Sequence, residues 1–348
     1  MKKFLAILLA FAMAMCLFAG CGDTSAPSDD GGAPAGDGEK GALTIGFSWS
    51  VCNDSLYYAM QDTLEQAVEK EALDRGYTSV EWIHVVSGED TQKQADDIED
   101  LITQEVNAIF CYPYDMDAIK TSIASAREAG IPFLTYDRDV SEGGEQPDAW
   151  IGLDSTQQAY DTGVALFERM KEEGVEAVNI IELIGDLGDI NATNRIAGFD
   201  QAAKEYGYEI AVQVPTEWSA DKALTNLTST YQSYSDSNCI LSASDIMSAT
   251  AVQTVLEDAG KWVPNTDPNH VWYGSCDVFP AAIEQIQGGY LDYDAAYDVG
   301  AMADAAAPVV LDFIEGQGLG EAKKFACQAT VVDQENIDGF DTLWSLNY

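Results

Sequence analysis

Asp137-Arg138 sets an acid beside a base, and the residues before it decide where the two stand. Gly130-Ile131-Pro132-Phe133-Leu134-Thr135-Tyr136 is a turn followed by apolar, β-prone residues, ending abruptly at Asp137-Arg138-Asp139. The pattern predicts a short buried parallel strand whose carboxyl end delivers acid and base together into solvent. In open α/β sheets, ligands bind in the crevice outside those strand ends. A carboxylate accepts from hydroxyls and a guanidinium donates to them, so the pair suits a polyhydroxylated molecule. A surface turn holding a salt bridge fits the same residues.

Other reactive side chains are few. The only histidines are His84, inside a strand-like run, and His270, at a strand start, and both read as core or rim residues. The chain holds no G-x-S-x-G, no H-E-x-x-H and no G-x-x-x-x-G-K-[ST], the common hydrolase, zinc-protease and P-loop signatures. Asp54 and Asp137 are the pair a glycosidase reading would use as acid and base. Asp186-Leu187-Gly188-Asp189-Ile190-Asn191 has the residue types of a calcium loop without its full pattern or its later Glu. No metal, no cofactor and no catalysis are expected.

Alternating elements position these residues. Strand-like runs are Leu43–Trp49, Val80–Val86, Ala108–Tyr112, Pro132–Tyr136, Trp150–Leu153, Ala177–Leu183, Tyr208–Val214, Cys239–Ser242, His270–Gly274 and Tyr293–Tyr297. Between them, apolar residues recur at helical spacing, as in Met60-Leu64-Ala67-Val68-Ala72 and Ile119-Ile123-Ala126. Strand and helix in alternation give parallel sheets covered by helices on both faces. So many strands exceed one such sheet, and the region from Ala42 onward, roughly 300 residues, is comfortable for two cores. The expected fold is therefore α/β, with two Rossmann-like lobes.

The first residues read as an export signal. Met1-Lys2-Lys3 precedes an uncharged apolar run, Phe4 to Phe18, too short to span a membrane, and residues 1–20 are expected to be a signal peptide. Leu17-Phe18-Ala19-Gly20-Cys21 resembles a bacterial lipobox, with Leu17 one place further out than usual. It implies lipidation of Cys21 and a membrane anchor; cleavage elsewhere to a soluble form is the alternative. Residues 21–41 carry nothing larger than Ala or Pro among their apolar residues and should form a flexible tether. Net charge is −42, from 59 acids and 17 bases, which argues against nucleic-acid binding. Of seven cysteines, Cys16 and Cys21 belong to the leader. Cys52, Cys111, Cys239, Cys276 and Cys327 show no C-x-x-C spacing, and most read as small core residues.

Several segments in colinear order resemble bacterial type I periplasmic binding proteins, and most of all the ribose/galactose-type sugar receptors of ABC transporters. They are Ile45-Gly46-Phe47-Ser48, Ile98 to Gln104 before Asn107-Ala108-Ile109, Ala129-Gly130-Ile131-Pro132, Thr135-Tyr136-Asp137-Arg138, Arg195-Ile196-Ala197-Gly198-Phe199 and Asp277. The resemblance spans about residues 43–335. It implies two lobes joined by a three-stranded hinge, with crossovers near Gly152–Asp154, Tyr297 and Phe325. Lobe 1 would comprise residues 42–152 and 298–325, and lobe 2 residues 153–297 and 326–348. It also implies a monomer that traps a sugar or polyol between its lobes and hands it to an ABC permease. A sensory receptor signalling to a membrane partner would have the same sequence.

By the same resemblance, the binding residues are Asp54, Tyr57, Tyr112, Asp137, Arg138, Arg195, Trp218, Ser244, Asp277 and Tyr297. Asp54 stands where the ribose-type pattern has asparagine, and Tyr112 where it has the asparagine of Asn-Pro. Thr193 replaces the first of two arginines, so Arg195 remains, either for ligand or to pin its helix. Trp218, taken as a lone exposed aromatic, would cap the sugar, and Tyr57 would stack on it or sit in the core. Ser244 replaces an asparagine and Tyr297 a hinge glutamine. The departures imply a ligand other than ribose.

Overall fold

The computed structural model describes residues 40–318, 323–340 and 343–348. The signal peptide, Cys21 and all but the last two residues of the tether lie outside them. Those two do not continue a tether: Lys40 pairs with Tyr77 in an isolated parallel bridge, and its Nζ lies 2.5 Å from Glu315. Among the described residues no helix is long and apolar enough to cross a membrane.

Alternation of apolar residues builds the first lobe. Its elements run β1 (Leu43–Trp49), α1 (Ser55–Asp74), β2 (Val80–Val86), α2 (Thr91–Thr103), β3 (Ala108–Tyr112), α3 (Ile119–Ala129), β4 (Phe133–Tyr136) and β5 (Ala149–Leu153). In β3, Ala108, Phe110 and Tyr112 face one core, while Ile109 and Cys111 face the other. That period of two, with both faces buried, is what a sheet covered by helices on both sides demands. Gly130 ends α3 in the left-handed conformation at φ 74°, which starts β4 on its course to Asp137.

The chain then crosses to a second sheet through α4 (Ser155–Glu172), β6 (Ile180–Ile184), α5 (Ile190–Tyr206), β7 (Ile210–Pro215), α6 (Ala220–Ser233), β8 (Cys239–Ser242), α7 (Asp245–Asp258), β9 (Trp272–Asp277), α8 (Pro280–Gln287) and β10 (Tyr293–Ala296). It returns in α9 (Val299–Ile314), which packs on the first core, adds β11 (Lys324–Cys327) to the first sheet, and ends with β12 (Thr330–Asp333) in the second. The sheet orders are β2-β1-β3-β4-β5-β11 and β7-β6-β8-β9-β10-β12. Every pairing is parallel except β12 with β10.

Four strands begin later than their apolar runs suggest, β4 by a single residue at Phe133, and two short ones, β11 and β12, lie outside all of those runs. Asn179, at φ 48°, breaks the run that starts at Ala177, so β6 opens at Ile180. β7 opens at Ile210 rather than Tyr208. His270 is held side-on, with Nε2 2.9 Å from Asp292 and Nδ1 2.8 Å from the Val263 carbonyl, and β9 starts beyond it at Trp272. β9 runs on to Asp277 because Ser275, Cys276 and Asp277 pair with β10. β11 and β12 carry no apolar run: exposed and half-buried residues alternate in β11. Cys111, Cys239 and Cys276 are buried, Cys52 and Cys327 half-buried, and all five are free thiols.

Candidate functional site

Strand ends from both sheets converge on a cavity of about 670 Å³, and all ten residues singled out above line it. At the first lobe, Asp54 caps α1, its Oδ1 accepting from the Leu56 and Tyr57 amides at 2.9 and 3.4 Å. Capping satisfies two amides that no helical carbonyl reaches. Tyr57 follows in the first helical turn and meets Tyr112 edge-on, with ring centroids 5.5 Å apart. Tyr112, at the end of β3, is buried beneath the Arg138 guanidinium, 4.6 Å from its ring centroid.

Asp137 and Arg138 do not enter solvent as a pair. Asp137 is only 4% exposed and sits in the left-handed region at φ 68°, its amide bonded to the Ile151 carbonyl at 2.7 Å. The turn separates the two side chains. The Asp137 carboxylate accepts from the Tyr297 hydroxyl and from Asn191 Nδ2, at 3.2 and 3.0 Å to its two oxygens. Burial pushes its pKa up to about 6, the Tyr297 hydrogen bond holding it down in part. Arg138 is held instead by Asp189, Nη2 to Oδ2 2.5 Å, and donates to the Pro113 carbonyl.

Lobe 2 supplies Asp189 and Asn191 from the start of α5, where Asp189 caps the helix by accepting from the Asn191 amide at 2.9 Å. One turn on, Arg195 is buried and nearly saturated. Its guanidinium grips Asp277 at 2.6 and 3.0 Å and also donates to the Ala243 carbonyl and to Gln158. Thr193 is exposed, its hydroxyl turned back on the Ile190 carbonyl. Trp218 is half-buried rather than exposed: its ring lies over Gly185, where an added Cβ would sit 2.2 Å from the indole. Only glycine permits that approach. Ser244 is buried and caps α7 through the Ile246 amide.

Backbone strain gathers at the cavity. Asp137, Glu217, Trp218 and Asp277 all line it with positive φ, at 68, 51, 58 and 101°. Each such residue costs about 1–3 kcal/mol and persists only where its surroundings over-determine it. At Asp277 the determinants are two buried carboxylates: Asp294 accepts from the Val278 amide at 3.2 Å and Asp245 from the Phe279 amide at 2.7 Å. Burial holds both well above the usual carboxylate range.

The family model of the periplasmic binding protein domain matches residues 45–318. The chain belongs to the periplasmic binding protein family. A ribose import binding protein of Bacillus subtilis is 28% identical over 259 residues, covering 73% of this chain and 77% of that relative. A solved ABC transporter solute-binding protein from Mycobacterium smegmatis, with bound glycerol, is 26% identical. It superimposes with a TM-score of 0.70 over 87% of this chain and 99% of its own. A periplasmic solute-binding protein from Actinobacillus succinogenes with bound D-allose shares the fold at 22% identity, with a TM-score of 0.72 over 86% of this chain and 100% of its own. The two-lobed α/β architecture is that of type I periplasmic binding proteins.

Sequence reasoning missed Asp189 and Asn191. Their signal was Asp-x-Asn at the head of an apolar-periodic helix, where a cap is expected. Asp245 keeps the acid of the Asn-Asp in the ribose-type pattern, where Ser244 replaces the asparagine, but is not among the expected site residues; Asp294 carries no signal beyond being an acid within an apolar strand. Among the described residues there is no group of three or more His, Cys, Asp or Glu side chains arranged to hold a metal, and this includes the 186–191 loop.

Proposed function

We propose that this protein captures a sugar or polyol outside the cytoplasm, returns it chemically unchanged, and delivers it to an ABC importer. The supporting observation is the cavity itself, into which one lobe brings Asp137 and Arg138 and the other Asn191, Arg195 and Asp277. Residues 42–152 with 298–325, and 153–297 with 326–343, act as the two lobes of a monomer that closes about the ligand; the last residues go with the first lobe rather than the second, Trp344 lying in its core and Tyr348 bonding Asp62 of α1. Closure adds contacts only in the closed state, so a ligand shifts the balance by its differential affinity for that state. Relatives named as sugar import binding proteins support the ligand class. The signal peptide would direct export and be removed, and the lipidated Cys21 then left at the N-terminus would hold the chain at the outer face of the membrane.

A thermal-shift screen of the purified chain against monosaccharides, polyols and nucleosides tests this reading. A ligand that binds only the folded state adds RT ln(1 + [L]/Kd), roughly 2.7 kcal/mol at a hundredfold excess over Kd. The bound molecule should be recovered intact, and turnover of it would revive the glycosidase reading. Labelled fatty acid should enter the wild-type chain but not Cys21→Ser.

A further inference from the structure

Charge in the cavity does not balance. Its three cations are already engaged: Arg138 by Asp189, Arg195 by Asp277 through two oxygens, and Lys222 by Glu217. That leaves Asp54, Glu89, Asp137 and Asp186 on the cavity wall with no cationic side chain within 4.0 Å among the described residues. Asp137 stands deepest and Asp54 partly covered. Asp137 is buried and bonded only to neutral donors, and Asp54 is half-buried with one oxygen committed to capping α1. Tyr57 lies within the field of both carboxylates and of Arg138.

We propose that the cleft takes a hydroxylated ligand carrying a protonated amine, an amino sugar or amino-cyclitol, in preference to a neutral or anionic one. This rests on the reading of the cavity as a solute site. A neutral polyol can donate hydroxyls to Asp137 but brings no cation into contact with it when the lobes exclude water. Arg138 and Arg195 act on it only through space while held by other carboxylates, and a buried charge without a paired partner is costly. An anionic ligand would find both guanidiniums already holding carboxylates. An ammonium at either of the cavity carboxylates Asp54 and Asp137 supplies missing charge and makes charge-assisted hydrogen bonds. The hydroxylated frame is met by groups on the cavity wall that keep capacity to spare, the Ser244 hydroxyl as a donor and the Tyr297 hydroxyl oxygen as an acceptor.

Calorimetry of the full chain in detergent, at pH 7, with matched sets decides it: D-glucose, D-glucosamine and N-acetyl-D-glucosamine, the galactose set, and myo-inositol with an inosamine. The amine should bind at least about tenfold tighter than its hydroxyl counterpart in one set or more. N-acetylation should erase the preference, and raising salt should reduce it. Asp54→Asn, which still caps α1, should cut the amine-to-hydroxyl affinity ratio by about tenfold with unfolding temperature unchanged. A neutral sugar binding as tightly as its amine, and losing affinity in Asp137→Ala, overturns the amine class and leaves the receptor reading intact. No binding by any member overturns both.

Discussion

Asp137 joins three things at one carboxylate: backbone strain, burial and the meeting of two lobes. Its raised pKa has a definite sign. A carboxyl whose folded pKa lies above its unfolded value contributes stability that is fully present below the unfolded value, 3.8, and is lost as pH rises through about 6. Tyr297, Asn191, Arg138, Asp189 and Arg195 all face or act on that group. Ligand-free wild type should therefore lose about 1–3 kcal/mol relative to Asp137→Asn between pH 4 and pH 7.5, as read by chemical denaturation at each pH. Parallel slopes for the two proteins would mean that Asp137 is already ionised at low pH. The sequence disclosed Asp137 and Arg138 because they end an apolar strand. It did not disclose that a left-handed turn separates their side chains, because φ at Asp137 is settled by Ile151 across the sheet.

Elements with strong patterns were legible, and those held by tertiary partners were not. β1, β2, β3 and β8 begin and end where their apolar runs do: β1, β3 and β8 are buried on both faces, and β2, an edge strand with no fully buried residue, pairs along its whole length with β1. β11 and β12 exist because each is added to the edge of a finished sheet, which needs backbone pairing more than apolar side chains. The α4–α5 contact is likewise invisible in periodicity. It depends on Gly198, where a Cβ would lie 2.2 Å from the Thr156 carbonyl and 2.8 Å from the Tyr160 amide. Backbone atoms cannot step aside as a flexible side chain can. Gly198→Ala should destabilise the protein by about 1–3 kcal/mol, the usual range for overpacking, and also disturb Arg195 one turn earlier. A thermal melt and a ligand titration on the same sample separate the two effects. An unchanged melting temperature would mean the helices part at no cost.

Across the whole molecule, side-chain bonds link the lobes without help from a ligand, among them Arg138 to Asp189, Asn191 to Asp137 and Tyr297 to Asp137. The Arg138–Asp189 pair is buried, with side chains 11% and 7% exposed, and removing one partner of such a pair is more damaging than never having had it. Asp189→Asn retains the cap on α5 but releases Arg138, so the ligand-free protein should open. Its radius of gyration in solution scattering should exceed that of wild type and fall back when ligand is added. Equal radii without ligand would show that the latch carries no weight.

The central claim is that the cavity between the lobes is the ligand site, and Asp137→Ala tests it most directly. The titrant is whichever sugar, amino sugar or polyol gives wild type its largest thermal shift. Removing a buried carboxylate that accepts from that ligand should cost about 2–4 kcal/mol, on the order of 30- to 1000-fold in Kd. A cooperative unfolding transition should survive, because β4 is held by Phe133, Leu134 and Tyr136 in the core. Wild-type affinity in the Asp137→Ala protein would contradict the account and move the site elsewhere.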